Sequence, residues 1–446
     1  MRTSERGARR LGVMALALGL LAVTGVGVAV LTGTLPPAPP GRTAAEDLPP
    51  LTVRDVVLGV GGDEAQRNVA WYSIDARARC VQYSSASGDD AFREDVTTVE
   101  AYASGDAVPA GFTWFHATMG GLEPSARYAY RFGDCETTWS TPFEFATHDD
   151  GSFGFLLFGD PQLRVATADA DPGRGWADTA RQAVQRFPGT DFMMTTGDNI
   201  DSPTDTAQTI EWELFLAPPE LSQYALAPTI GNHDEADGAG TQYGQHFALP
   251  NLSETRATVA GSGDYWFTYN EALFMNLDSN NPDVAEHERF MTKVLAAHPE
   301  AAWTVVALHH APYGSSFHSA DPGIVALRGT LSPILSELGI DLVISGHEHS
   351  YARSYLMNGT VPVASSGGPT VTPRDGEVLY ITANSASGGK FYDVTGDQPW
   401  IAVTNQERVA NYSNIRVEDS AITITTYRTS DGSVVDRVVL MRNRSS

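Results

Sequence analysis

Five apolar runs in this chain stop in the same way. "FGFLLFGDPQ", "DFMMTTGDNID", "YALAPTIGNHD", "AWTVVALHHAPY" and "DLVISGHEHS" each pass from an apolar strand into short punctuation and then metal-competent side chains. Between them lie stretches with helical spacing: "WADTARQAVQRF", "TAQTIEWELFL", "EHERFMTKVLAAH" and "IVALRGTLSPILSEL". Strands alternating with helices from Gly151 onward predict an α/β domain. In open α/β sheets the ligand crevice lies beyond the carboxyl ends of the strands. The five tips therefore converge, bringing together Asp160 and Gln162, Asp198 and Asp201, Asn232 and His233, His309 and His310, and His347 and His349. Singly, a Gly-Asp is a turn and a lone histidine is a hydrogen-bonded surface or core residue. One metal site accounts for all of them together.

The donor types narrow the metal. Imidazole suits zinc, iron or manganese, and carboxylate or amide oxygens suit harder ions. Two ions about 3.5–4 Å apart need a bridging anion, a role a carboxylate can fill.

Around this domain the chain changes character. Its 446 residues are enough for two or three domains. Residues 51–148 read as all-β: "DVVLGVG", "NVAWYSI", "CVQYSS", "FTWFHATM", "YAYRFG" and "FEFAT" are short, β-branched or aromatic, and separated by turns. They predict a small β-sandwich with no nucleophile or ligand cluster. After the last tip, "GEVLYITANS", "YSNIRVE", "AITITTYR" and "VVDRVVLM" predict a mostly antiparallel closing section. Residues 34–50 are Pro/Ala-rich and read as an extended linker. Residues 1–33 place Arg2, Arg6, Arg9 and Arg10 before an uncharged run, the pattern of an export signal. The run fits either a cleaved signal peptide or a signal anchor. Both predict an extracytoplasmic protein, secreted or held at the membrane by this segment.

The net charge of −25 argues against nucleic acid as a partner and against a basic patch for anionic lipid. Cys80 and Cys135 fit either a disulfide or two buried thiols, and two cysteines are too few for a thiolate metal site. Four sequons, at Asn251, Asn358, Asn411 and Asn443, are expected by chance.

The order Gly-Asp, Gly-Asp, Gly-Asn-His, His, Gly-His-x-His resembles the calcineurin-like metallophosphoesterases. The "GHEHSYAR" context and the preceding "LEPSARYAYRFG" resemble the purple acid phosphatases, over roughly Leu51 to Leu440. The resemblance implies a four-layer αββα sandwich at 151–440 behind a fibronectin III-like domain at 51–148. It implies two metal ions, iron, manganese or zinc. Asp160 and His349 are expected at the first, Asp198 bridging, and Asn232, His309 and His347 at the second. His309 is preferred to His310 because the family ligand stands four residues before a tyrosine, here Tyr313. His233 is expected beside the substrate, and His318 approximates a phosphate-contacting histidine.

Two positions depart from the purple enzymes. Asp201 stands where they have a metal-binding tyrosine, and Gln162 where they have glycine. In the broader superfamily the first position holds the catalytic histidine, so an Asp201–His233 dyad is expected, with the Gln162 amide at the first metal. Both changes imply a colourless site. The expected reaction is hydrolysis of a small phosphate monoester by a metal-activated hydroxide, with His233 or His318 protonating the leaving group. A phosphodiesterase or nucleotidase would use the same site. A non-catalytic surface binding protein is the alternative of another class.

Overall fold

Alternate residues along the central strands face two different cores. In strand Phe153–Phe158, Phe155 and Leu157 enter one buried cluster, while Leu156 and Phe158 enter another. In strand Trp303–Leu308, Val305 and Ala307 share the first cluster, and Val306 and Leu308 join a third. Strands buried on both faces need continuous apolar runs, which is what these sequences supply.

The computed structural model describes residues 51–85, 91–148, 151–164, 171–202, 205–235, 241–253 and 260–442. The N-terminal apolar run, the Pro/Ala-rich linker and the Asn443 sequon lie outside the described residues.

Two large sheets pack face to face. In the first, Phe192–Thr195 lies parallel between Phe153–Phe158 and Ala225–Pro228. In the second, Ala272–Leu277, Trp303–Leu308, Leu342–Ser345 and Glu377–Thr382 run parallel in that order. Phe155, Phe192 and Met194 of one sheet share a core with Phe267, Phe274, Val305 and Ile344 of the other. Helices Pro172–Arg186 and Asp205–Leu216 cover the outer face of the first sheet through Trp176, Ala180, Trp212 and Phe215. Helices Val284–Ala297 and Pro322–Glu337 cover the second through Phe290, Met291, Leu331 and Leu335. The result is helix, sheet, sheet, helix, as the resemblance implied. The carboxylates of Asp171 and Asp283 accept from the first-turn amides of Arg174 and Glu286, which fixes where two of the helices begin.

The closing section divides between the sheets. Asn411–Glu418, Ala421–Arg428 and Val434–Met441 extend the first sheet antiparallel from Phe153–Phe158. Glu377–Thr382 instead pairs parallel with Leu342–Ser345.

The N-terminal strands form two facing sheets with a shared core of Trp71, Phe115, Tyr83, Tyr130 and Phe132. One sheet comprises Val96–Glu100, Cys80–Ser84, Arg127–Gly133 and Phe143–Ala146. The other is not separate. Val53–Val60 pairs parallel with Ala225–Pro228, through Gly59 and Leu226, so its strands continue the first large sheet to eleven. Contacts across this junction include Tyr72 Oη to Gln245 Oε1 at 2.8 Å and Tyr130 Oη to the Ser222 carbonyl at 2.6 Å. Cys80 and Cys135 form a disulfide within the module. Among the described residues no helix is long and apolar enough to cross a membrane.

Candidate metal centre

Parallel strands carry their carboxyl ends to the same edge, and hydrogen bonds knit the tips of the two sheets there. His309, after Trp303–Leu308, donates from Nδ1 to the Thr196 carbonyl of the opposite sheet at 2.9 Å. The His347 amide donates to Asp160 Oδ1 at 2.8 Å. Gly346 sits in this seam: a β-carbon there would stand 2.6 Å from Asp160 Oδ2, so the Gly of "SGHEH" is a steric requirement.

Five of the predicted ligands have left-handed backbone: Asp160 (φ 31°), Gln162 (42°), Asp198 (48°), His347 (70°) and His349 (46°). Non-glycine residues seldom take this conformation, and it persists where surrounding structure imposes it, often at functional sites. Here it turns side chains out of the strand direction and toward the crevice. His347 and His349 are two residues apart, yet the chain has left the alternating strand geometry that would set them both on one face.

The donor geometry around His309 calls for a cation. With its Nδ1 proton given to Thr196, Nε2 is a lone pair. It lies 3.0 Å from Asn232 Oδ1, 3.1 Å from His347 Nδ1 and 3.3 Å from Asp198 Oδ1. An amide oxygen, a carboxylate oxygen and two ring nitrogens have thus converged with few protons to share. Without a metal, a proton fills the gap. Burial opposes charge on His309, but Asp198 outweighs it and holds the imidazole up to about 9. Asp198 is held well below the ordinary carboxylate range, its burial overcome by His309 and the neighbouring histidines. A divalent ion would displace that proton and satisfy the same acceptors. His347 is pushed down by burial and by His309, as suits a neutral ligand.

Asp160 and Gln162 meet the same test beside this cluster. Asp160 is fully buried; burial raises its carboxyl to about 8, with His309 opposing. Its Oδ2 has no hydrogen-bond partner, and neither do Oε1 and Nε2 of buried Gln162. Buried polar atoms without partners are costly unless something occupies the space between them. Asp160, Asp198 and His309 offer ligand atoms within 4.8 Å of one another. His349 is buried a little apart. Its Nδ1 donates to the Lys390 carbonyl at 3.1 Å, which leaves a lone pair on Nε2, and burial lowers its pKa to about 3.

The Asp201–His233 dyad is not formed. His233 Nδ1 donates to the backbone carbonyl of Asp201 at 2.5 Å, while the nearer carboxylate oxygen stands 3.9 Å away. Glu211 explains why the loop presents its carbonyl. Its carboxylate accepts from the amides of Asp201 and Ser202 and from the Ser202 hydroxyl, at 3.1, 2.7 and 2.6 Å. His233 remains at the centre through its own amide, which donates to Asp198 Oδ1 at 2.9 Å. The carboxylate–imidazole pair sits instead at His318, whose Nδ1 lies 2.6 Å from Asp321 Oδ2 and whose ring lies 4.4 Å from that of His347.

Two supporting residues, Asp234 and Glu348, were not singled out from the sequence, and His310 was set aside there in favour of His309. Asp234, the last residue of "IGNHD", is fully buried and accepts from the amides of Asn199, Ile200 and Gly231 and from the Asn199 side chain. It ties the second tip to the third. Glu348, between the two histidines, is buried and accepts from the Ser316 amide at 2.6 Å, fastening the loop that carries His318. His310 bonds Ser279 at 2.9 Å and offers a nitrogen within 4.8 Å of His309 and His347. The signal available for Asp234 and Glu348 was a titratable side chain embedded in a tip that already carried candidate ligands.

Beyond Asn232 and His347 a groove of about 740 Å³ opens past His310 and His318 toward helix Pro322–Glu337.

The calcineurin-like phosphoesterase family matches residues 153–351, and the purple acid phosphatase N-terminal domain matches residues 53–147. Acid phosphatase type 7 of Mus musculus is 23% identical over 436 residues, covering 91% of this chain and 94% of that protein. Its Homo sapiens counterpart is 23% identical, covering 88% and 92%. The fold matches a purple acid phosphatase from yellow lupin (Lupinus luteus) seeds with a TM-score of 0.71 at 18% identity, over 88% of this chain and 75% of that one. The family uses a binuclear metal centre, and the tips here hold candidate His/Asp ligand groups. The chain thus carries a calcineurin-like phosphoesterase domain behind a purple acid phosphatase N-terminal domain, is homologous to acid phosphatase type 7 and to purple acid phosphatases, and is a phosphoester hydrolase.

Proposed function

We propose that this protein is an exported, metal-dependent phosphomonoesterase of the acid phosphatase type. The observation that carries the reading is the convergence of Asn232, Asp198 and His347 acceptors on the Nε2 lone pair of His309. In this reading Asn232, His309 and His347 would hold one ion, Asp160, Gln162 and His349 would hold the other, and Asp198 would serve both. Iron, manganese or zinc suits such a nitrogen and oxygen donor set. Bound there, the ions supply positive charge for the phosphoryl oxygens and acidify water.

The chain's own side chains do the rest. Thr196 and Lys390 carbonyls fix the tautomers of His309 and His349 by accepting from Nδ1, so that Nε2 points into the site. His233, held through its Nδ1 proton by the Asp201 carbonyl, turns Nε2 toward the centre, 4.0 Å from Asp198 Oδ2, beside where the substrate would sit. His318, oriented by Asp321, stands at the groove mouth, where it delivers a proton to the departing alcohol oxygen. With Asp201 in place of a metal-binding tyrosine, no tyrosinate absorption band is expected in the active protein. The substrate is a small phosphate ester. Export is supported by the disulfide in the N-terminal module, which suits an oxidising compartment.

The test is a phosphoester panel run on metal-stripped protein with iron, manganese and zinc added back singly. Restored hydrolysis of nitrophenyl phosphate, well above that of the bis ester, supports the reading. A preference for the bis ester would make the protein a diesterase, and no bound or activating metal would make it a binding protein.

A further inference from the structure

The groove beside the metal centre has a chemistry of its own. Its far wall is apolar: Pro282 and Val284, at the start of helix Val284–Ala297, face Ile324, Ala326 and Leu327 on helix Pro322–Glu337. Its near wall is the proposed site, through Asn232, His347 and His318. A phosphoryl group on the near wall leaves its alcohol portion on the His318 side, where the groove runs. At about 740 Å³ the space fits an organic group well beyond a methyl ester.

Charge narrows the occupant further. Among the described residues no lysine or arginine side chain lines this groove, whereas Glu235 and Asp321 do. Arg328, on the same helix, is turned away. Its guanidinium donates to the Pro312 and Ser319 carbonyls and lies over the Trp400 ring at 4.1 Å. A substrate with a second phosphate or a carboxylate would meet Glu235 and Asp321, the latter already paired with His318, and no lysine or arginine. A neutral apolar group would cover Ile324, Ala326 and Leu327 without losing hydrogen bonds.

We infer that the preferred substrates are phosphate monoesters of neutral, apolar or aromatic alcohols, discriminated against polyanionic esters by the Pro282–Leu327 groove. This rests on the phosphomonoesterase reading and names the substrate class of that same site.

The test measures kcat/KM on the metal-loaded protein for ethyl, propyl and butyl phosphates, and for phenyl against 4-carboxyphenyl phosphate. Each added methylene is expected to raise kcat/KM about 4-fold. Phenyl phosphate is expected to exceed its carboxylated analogue by at least about 10-fold. The non-hydrolysable methyl and butyl phosphonates, compared by calorimetry, should show the same order in affinity. Ala326→Asp, at an exposed helix position, and Leu327→Asp should both flatten the alkyl series, and Glu235→Gln should narrow the carboxylate penalty. A flat alkyl series with equal phenyl and carboxyphenyl rates overturns the inference and leaves the monoesterase reading standing. Failure to hydrolyse any of these monoesters overturns both.

Discussion

His318 Nδ1 lies 2.6 Å from Asp321 Oδ2, although Asp321 occupies the position from which it could cap helix Pro322–Glu337. Its side chain makes no capping bond and serves the imidazole instead. The pairing orients His318 and leaves Nε2 for the leaving group. His318→Ala is expected to lower kcat about 10²–10³-fold on alkyl phosphates, whose leaving alkoxides need a proton. On nitrophenyl phosphate, whose leaving group departs without one, the loss should be far smaller. Asp321→Asn should fall between, at about 10-fold. Equal losses on both substrates would assign His318 to phosphate binding rather than proton transfer.

Asp198 is the carboxylate that faces both His309 and the His233 amide. Asp198→Asn keeps the shape and removes the charge. The variant should fold, bind less metal by elemental analysis, and lose at least about 10³-fold in kcat. A folded variant with full metal content and full turnover would remove Asp198 from the site.

Glu348 tests the loop clamp. Glu348→Ala removes a charged acceptor from the Ser316 amide, a change expected to cost about 1.5–3 kcal/mol of stability. The shape-conserving Glu348→Gln should fold normally yet lower kcat/KM about 10-fold through misplacement of the His318 loop. Unchanged kinetics in Glu348→Gln would show that the clamp is purely structural.

Stability should also depend on pH through His246 and His116, which sit at the junction of the N-terminal module. Burial pushes His246 down to about 3 and His116 to about 4. Both are neutral in the fold, whereas the unfolded chain protonates them near 6.5. Their contribution is therefore complete above about pH 6.5 and is lost as pH falls toward 4 and then 3. Between pH 7.5 and 5 each should cost about 2 kcal/mol. His246 stacks on Tyr72 at 4.9 Å and neither ring nitrogen is hydrogen-bonded, so His246→Phe keeps the packing and removes the titration. Urea unfolding should show the variant losing about 2 kcal/mol less than the parent over that range. Parallel pH profiles would contradict the assignment.

The legibility of the chain was uneven for physical reasons. Continuous apolar runs and helical spacing marked the buried strands and packed helices around Phe155 and Trp176, which gave the α/β class, whereas the four-layer arrangement came from the family resemblance. Strand-end polarity marked the candidate tips, because five of them in order are accounted for together by one metal site although each alone has ordinary uses. What stayed hidden depends on partners distant in sequence. The choice of His233 for the Asp201 carbonyl follows from Glu211 holding that loop from a neighbouring helix. The left-handed turns at Gln162 and His349 follow from what packs around them. Likewise, nothing local in Val53–Val60 indicates that its edge will pair with Ala225–Pro228.

That last pairing bears on the order of events during synthesis. Gly59 emerges from the ribosome long before Leu226, so the first strand of the N-terminal module must wait for its neighbour. Chains usually complete their leading domain first; this one has its leading sheet finished by a strand made later. The same edge makes the module a cover for backbone amides and carbonyls that would otherwise recruit another chain. Removing residues 53–147 to isolate the catalytic half would bare Ala225–Pro228 and invite self-association, so the module is to be regarded as part of the catalytic sheet's boundary.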